Sequence, residues 1–314
     1  MSLYTTKIES AQNDPSLLMN HTCYRIKDPV RSIEFYEKKL NMKLYMKKDF
    51  PDMKFSLYFL KFPGEVEASV SGDNIFGYSG VLELTHNWGT EDDPDYKVNN
   101  GNVEPHRGFG HTCISVYDIE KYCSELEAKN VVFKKKLEEG RQHNIAFILD
   151  PDGYWIELLA YQSPQNLGPK LNHTMYRIKD PKQSVDFYTN VLGMKLIRTF
   201  DVPTAKFTNY FFSYKETEGE GWRTTEGVVE LCHNYGTEDD PDFHYHTGNA
   251  EPQGYGHICV VMDKPEVFCQ EIENKYGDAI QWAPKFNQGK MKNIAFLKDP
   301  DGYSIEVVLR NIKL

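Results

Sequence analysis

The sequence predicts an α+β protein built from four copies of one strand–helix–strand–strand–strand module. Repetition is the first observation behind this. Asn20-His21-Thr22 returns as Asn172-His173-Thr174, and Glu83-Leu84-Thr85-His86-Asn87 returns as Glu230-Leu231-Cys232-His233-Asn234. Gly108-Phe109-Gly110-His111 returns as Gly254-Tyr255-Gly256-His257, and Asp150-Pro151-Asp152-Gly153-Tyr154 returns as Asp299-Pro300-Asp301-Gly302-Tyr303. Stretches that recur in one order mark a duplicated architecture. Secondly, strand and helix patterns run through the same order twice inside each copy. Thirdly, 20 Tyr and 18 Phe among 314 residues supply rings for the cores of two domains of about 150 residues each.

The elements follow in order. His21 to Lys27 reads as a strand. Asp28-Pro29 starts a helix, with a capping side chain and then Pro at the first helical position. Val30, Ile33, Tyr36 and Leu40 continue it at helical spacing. Met42 to Met46, Phe55 to Phe62 and Val81 to Thr85 are strands rich in aromatic or branched residues. The second module repeats this. His111 to Tyr117 is a strand, Asp118 caps a helix bearing Ile119, Tyr122, Cys123 and Leu126 on one side, and Val131 to Phe133, Asn144 to Leu149 and Tyr154 to Leu159 are strands. Asp150-Pro151-Asp152-Gly153 forms the last turn, Pro fixing one dihedral and Gly free to take positive φ. The same plan returns at 170–235 and 256–309. The halves therefore span 17–165, with modules 17–90 and 106–162, and 168–314, with modules 168–237 and 254–311. Polar connectors, Thr90 to Arg107 and Thr237 to Gln253, join the modules inside each half, and Gln162 to Lys170 joins the halves. Met1 to Pro15 is polar and mixed in charge, lacks the order of a signal peptide, and reads as a frayed or loosely docked arm.

A net charge of −10 argues against nucleic acid or an anionic membrane as the main partner, and leaves room for local basic pockets that take an acidic small molecule. No apolar run approaches the ~18 residues needed to cross a membrane. None of the six cysteines has C-x-x-C spacing, which suits buried, reduced thiols in a cytoplasmic protein. Cys113 and Cys259, two residues after the glycine-flanked histidines, leave a catalytic thiol as a minor reading.

The repeated stretches each hold one metal-ligand type. Alternation along Tyr154 to Leu159 puts Glu157 on one face with Trp155 and Leu159, where a carboxylate is costly unless paired or coordinated. Glu83, Glu230 and Glu306 repeat this within apolar strands. One such Glu is ordinarily salt-bridged or on an edge strand. Four of them, each matched by His21, His111, His173 or His257 at a strand start, make a metal-site pattern. His86 and His233 lie an odd step of three from Glu83 and Glu230, so they read as structural partners. His106, His143, His244 and His246 have no counterparts and read as surface residues. Two His with two Glu suit Zn²⁺, Ni²⁺, Co²⁺ or Fe²⁺ better than Ca²⁺, and leave an open site for water or substrate oxygens.

At these residues the chain resembles the glyoxalase I (lactoylglutathione lyase) family of the vicinal oxygen chelate superfamily. Tyr24-Arg25-Ile26-Lys27-Asp28-Pro29, Met53-Lys54-Phe55-Ser56-Leu57-Tyr58-Phe59-Leu60, the segment Leu82 to Asp93, Arg107-Gly108-Phe109-Gly110-His111 and the segment Asp150 to Glu157 carry the resemblance. Both halves match over nearly their full length, as in fused fungal-type members. The resemblance implies paired βαβββ modules forming two curved mixed sheets, module one with four and two with three. Site A is then His21, Glu83, His257 and Glu306, and site B is His173, Glu230, His111 and Glu157. Many family members carry Gln as the first ligand where both copies here have His. The inserts around Ser69 to Ser79 and Lys215 to Glu226 resemble the zinc-using class, so Zn²⁺ is expected.

The implied reaction isomerises the hemithioacetal of methylglyoxal and its cosubstrate glutathione to S-D-lactoylglutathione. It runs through a metal-bound enediolate, with Glu306 and Glu157 as bases. Glutathione is anionic. Its implied contacts are Arg25, Asn87 and Lys290 in site A, and Arg177, Asn234, Arg107, Lys135 and Arg141 in site B. Site A has Gln253 where site B has Arg107, and Pro284 where site B has Lys135, so weaker glutathione binding is expected at site A. The rival readings are an Fe(II) extradiol dioxygenase of the same superfamily, with two His and one carboxylate, and a non-enzymatic small-molecule-binding protein. Fusion of the modules points to a monomer.

Overall fold

A computed structural model describes residues 2–12, 14–64, 70–140, 143–162, 165 and 168–314. After a short helix α1 (Glu9–Gln12), the first module comprises β1 (Leu18–Ile26), α2 (Pro29–Glu34), β2 (Lys43–Phe50), β3 (Phe55–Lys61) and β4 (Val81–Asn87). The second comprises β5 (Phe109–Val116), α3 (Ile119–Ala128), β6 (Val132–Lys135), β7 (Ile145–Leu149) and β8 (Trp155–Ala160). The third comprises β9 (Lys170–Ile178), α4 (Pro181–Asp186), β10 (Lys195–Val202), β11 (Phe207–Ser213) and β12 (Val228–Asn234). The fourth comprises β13 (Tyr255–Met262), α5 (Pro265–Tyr276), β14 (Ile294–Lys298) and β15 (Ser304–Leu309).

The caps form as their residue types require. Asp28 and Asp180 accept hydrogen bonds from the second and third backbone N–H groups of α2 and α4, each helix opening on Pro. Asp118 caps α3 through the Lys121 N–H at 2.9 Å.

The modules pair across the halves. One sheet runs β14-β15-β13-β1-β4-β3-β2 and the other β10-β11-β12-β9-β5-β8-β7-β6. Each is centred on an antiparallel pair, β1 with β13 or β9 with β5, flanked by parallel neighbours. The fourth module departs from the five-element plan. Among the described residues, its strand after α5 is reduced to a single bridge between Trp282 and Leu297. Backbone bonds to β14 persist from Gln281, Ala283 and Pro284, but Pro284 has no N–H with which to extend a ladder.

Alternation divides each sheet into two faces. Tyr24, Ile26, Leu84, Ile258, Val260 and Ile305 point into one large cluster that also takes Ile114, Ile156 and Tyr176 of the other sheet. The sheets thus share a core, and the Thr22 and Thr174 hydroxyls hydrogen-bond within it. The opposite faces carry the smaller clusters around Phe59, Phe76 and Val308 and around Phe211, Trp222 and Leu159.

The Asp-Pro-Asp-Gly turns do more than reverse the chain. Asp150 Oδ1 accepts from the Asp152 and Tyr154 N–H groups, both at 2.9 Å, and its Oδ2 accepts from the Tyr36 hydroxyl at 2.9 Å. Tyr36 is also hydrogen-bonded to Tyr24. Asp299 and Tyr188 repeat the arrangement at 3.1 Å. Burial, with Asp152 nearby, pushes the Asp150 carboxyl up to about 7. The N-terminal arm is docked rather than frayed. Tyr4, Ile8 and Ala11 are buried, and Glu271 accepts from the Glu9 and Ser10 N–H groups. Apolar residues in an otherwise polar arm supply this anchorage.

Replacing Tyr36 by Phe leaves an acceptor on buried Asp150 without its donor. The unfolding free energy is expected to fall by about 1–3 kcal/mol, read as a lower urea midpoint with unchanged slope.

Candidate metal centres

The ligand positions converge because of the central antiparallel pair. His21 on β1 and Glu83 on β4 share a face, and β1–β4 register sets Cys23 beside Glu83. His257 on β13 and Glu306 on β15 share the same face, with Cys259 beside Glu306. β1 then meets β13 with Cys23 opposite His257. Where the connectors cross the starts of β5 and β13, close approach depends on glycine. A Cβ on Gly254 would lie 1.8 Å from the Asn99 carbonyl oxygen, and one on Gly108 would lie 1.9 Å from that of His246.

Two four-residue groups result: His21, Glu83, His257 and Glu306, and His111, Glu157, His173 and Glu230. In each, the four ligating atoms lie within 4.8 Å of one another. His21 Nε2 is 3.0 Å from Glu83 and 3.3 Å from Glu306, and 3.2 Å from His257 Nε2. His173 Nε2 is 2.8 Å from Glu230 and 3.1 Å from Glu157, and His111 Nε2 is 3.1 Å from Glu157. Each group therefore draws ligands from both halves.

Burial alone would push the His21 imidazole down, but Glu83 and Glu306 outweigh it and raise it to about 9. Burial likewise opposes ionisation of Glu306, yet His21 and His257 hold it well below the usual carboxylate range. Burial opposes ionisation of Glu157 too, and His111 with His173 holds it down. Two buried carboxylates in contact with imidazole nitrogens form a cation-demanding set, and a divalent ion of the zinc or nickel type fits the nitrogen and oxygen donors.

The histidines are oriented from behind. His21 Nδ1 lies 2.7 Å from Asn20 Oδ1, and His173 Nδ1 lies 2.7 Å from Asn172 Oδ1. Asn172 in turn donates to the Trp222 and Thr225 carbonyls at 2.7 and 2.6 Å. An Nδ1–H held this way leaves Nε2 with its lone pair toward an ion. These asparagines were legible as the residue repeated before each first histidine, but the reading from sequence used only the histidines.

Each group lines a cavity, about 550 Å³ at site A and about 520 Å³ at site B. Arg25 and Asn87 border the first, with Gln253 and Pro284, and Arg107, Arg177 and Asn234 border the second. Two expected contacts do not line these cavities. Lys135 donates to its own hairpin at the Ile145 carbonyl, 2.6 Å away, and Lys290 is exposed while its neighbour Met291 borders the cavity. Arg141 lies outside the described residues. The inserts build the cavity walls: Phe76 in site A, and Trp222 and Arg223 in site B. Arg198 also borders site B, a strand position that gave no sequence signal.

His86 and His233 lock turns, each Nε2 2.6 Å from Glu91 or Glu238. His143 and His244 are exposed, but His106 and His246 are partly buried and meet edge to face at 5.1 Å. They are packed rather than surface residues because the two connectors cross there. Cys113 is fully buried and burial pushes its thiol up to about 12, which makes it inert rather than nucleophilic.

A family model described as the Glyoxalase/Bleomycin resistance protein/Dioxygenase superfamily matches residues 18–158 and again 170–307. The chain belongs to this superfamily. As a superfamily member with two matched segments, it completes each ligand group by combining them. "Glyoxalase I" of Saccharomyces cerevisiae is 60% identical over 313 residues, spanning 97% of this chain and 96% of the yeast protein. "Lactoylglutathione lyase" of Schizosaccharomyces pombe is 44% identical, spanning 92% and 95%. The crystal structure of glyoxalase I from Zea mays superposes with a TM-score of 0.73 at 28% identity, covering 94% of this chain and 93% of the maize chain.

Divalent metal analysis should find two ions per chain, falling to one in His21→Ala or His173→Ala. Ligand histidines take up protons as pH falls, so metal affinity should weaken from pH 8 to pH 6, measured by competition with a chelator.

Proposed function

We propose that this chain is a lactoylglutathione lyase that isomerises the glutathione–methylglyoxal hemithioacetal to S-D-lactoylglutathione at two sites. The observation that carries this is the gathering of two His and two Glu at the base of each cavity, with arginine on the wall. An extradiol dioxygenase would use two His and one carboxylate, so the fourth ligand of each group favours the lyase. A bound divalent ion, for which we favour Zn²⁺ on the inserts, supplies Lewis-acid stabilisation of negative charge on substrate oxygens.

The residues of the chain do the rest. His21 with His257, and His173 with His111, fix the carboxylates in place. Glu306 in site A and Glu157 in site B carry the proton between the adjacent substrate carbons as general bases. Their opposite numbers are more restrained: Glu83 accepts from the Thr85 hydroxyl at 3.4 Å, and Glu230 from the Asn209 amide. That restraint favours a fixed ligand role for Glu83 and Glu230. Aromatic rings, Phe59 and Phe76 against His21 and Phe211 against His173, exclude water from the ligand face.

Arg25 and Asn87 in site A, and Arg177, Asn234 and Arg107 in site B, receive the anionic glutathione. Gln253 takes the place of Arg107 in site A, and binding there is weaker. Six buried cysteines, free of disulfides, support a reducing cytoplasmic setting. Sites completed within one chain support a monomer.

Glu157→Gln should abolish turnover at site B alone and Glu306→Gln at site A alone. The double variant should lose roughly 100-fold or more of wild-type activity, the scale of a lost general base. Full activity in the double variant would refute these bases. Competitive inhibition by S-hexylglutathione in each single variant reads the asymmetry. Site B, left active by Glu306→Gln, should bind it several-fold more tightly, and equal inhibition constants would overturn that ranking.

A further inference from the structure

The two cavities share their ligands but not the wall beside them. β2 pairs with β3 and β10 with β11 in the same register, so positions correspond one to one. Met46 lies opposite Phe59 as Arg198 lies opposite Phe211, and Lys48 lies opposite Leu57 as Phe200 lies opposite Asn209. Met46 thus corresponds to Arg198 and Leu57 to Asn209.

In site A this wall is apolar. Phe59 and Phe76 pack edge to face at 5.5 Å between ring centroids, and Leu57, Met291 and Leu314 border the cavity with them. In site B, Trp222 takes the ring position against Phe211 at 5.0 Å, and two guanidinium groups lie over it, Arg198 at 5.1 Å and Arg223 at 5.0 Å. Both also contact the single carboxylate of Glu220, so one positive charge of the pair is uncompensated there. Asn209 donates its amide N–H to Glu230, which fixes which way the amide faces. Its Oδ1 is buried with no partner among the described residues, and the side chain puts an amide in the cavity lining where site A has Leu57.

This wall borders the ligand set, because Phe59 packs on His21 at 5.7 Å and Phe211 on His173 at 5.9 Å. The group that meets it is the substituent on the reacting carbons. We infer that the two sites divide the 2-oxoaldehyde range: site A takes hemithioacetals with aryl or alkyl substituents, and site B takes those with hydroxyl or carboxylate substituents. A carboxylate pairs with Arg198 and Arg223, and a hydroxyl accepts from their N–H groups. An aryl group in site B would displace water from two guanidinium groups, whereas against Leu57 and Phe76 it buries apolar surface. The inference rests on the lyase reading and extends it to specificity.

The test uses the full, metal-loaded chain with one site silenced at a time. Glutathione hemithioacetals of phenylglyoxal, hydroxypyruvaldehyde and 4,5-dioxopentanoate are the probes. The preference in kcat/KM for the phenyl substrate over either polar one should be about tenfold greater in Glu157→Gln, which retains site A, than in Glu306→Gln, which retains site B. Equal preferences overturn the inference. Within Glu306→Gln, Arg198→Met should selectively depress the carboxylated substrate. Parallel losses on all three substrates would count against it.

A binding arm needs no turnover. Calorimetric titration of the otherwise unaltered chain with S-(2-carboxyethyl)glutathione should show one of two sites weakened by Arg198→Met, with S-benzylglutathione binding unchanged. An unchanged carboxyethyl isotherm overturns the inference. Loss of all turnover in both silenced forms would strike the base assignment, and the titration would then decide the inference alone.

Discussion

Everything at the two centres depends on one antiparallel seam in each sheet. Where β1 meets β13, and where β9 meets β5, strands from different halves run side by side, with Gly256 set against Cys23 and Gly110 against Met175 across the seam. The histidine ligands sit on the seam strands themselves, and the glutamates one strand away. The parallel neighbours then matter as carriers: they bring Glu83 and Glu306, or Glu230 and Glu157, to the height of the histidines. The cost of burying four carboxylates is met only because this geometry is enforced from the backbone.

The sequence made the module plan and the ligand types readable, because both are written in short local patterns. Alternation exposed Glu157 among apolar neighbours, Asp-Pro announced the helix starts, and the duplication removed the ambiguity of any single histidine. What it hid was non-local. The docking of Tyr4 and Ile8 depends on partners near residues 187 and 271, which no window of the chain contains. The resemblance implied Lys135 as a glutathione contact, yet a carbonyl in its own hairpin accepts from its amine. Arg198 gave no signal, because an arginine alternating on an edge-side strand looks the same whether it faces water or a cavity. The missing strand of the fourth module was within reach: Pro284 stands where a ladder donor was needed.

Duplication also explains which features the two copies share and which they do not. The shared ones are those that an ion or a buried charge would punish if lost: the His and Glu ligands, the asparagines behind the first histidines, and the buried Asp150 and Asp299. The divergent ones line the cavities beside the ligands, such as Leu57 against Asn209. That pair lies on β3 and β11, strands that carry none of the ligands.

The cross-half pairing has a topological meaning as well. Sheet two is made wholly from the continuous stretch 109–234, whereas sheet one is split between 18–87 and 255–309. One sheet is therefore nested inside the other, like one pair of brackets within a second. A chain emerging from the ribosome can complete the inner sheet while the outer one still lacks its second half. Once the inner sheet is folded, the remaining ends are already drawn together, and the long loop that the outer sheet must close is no longer a flexible one.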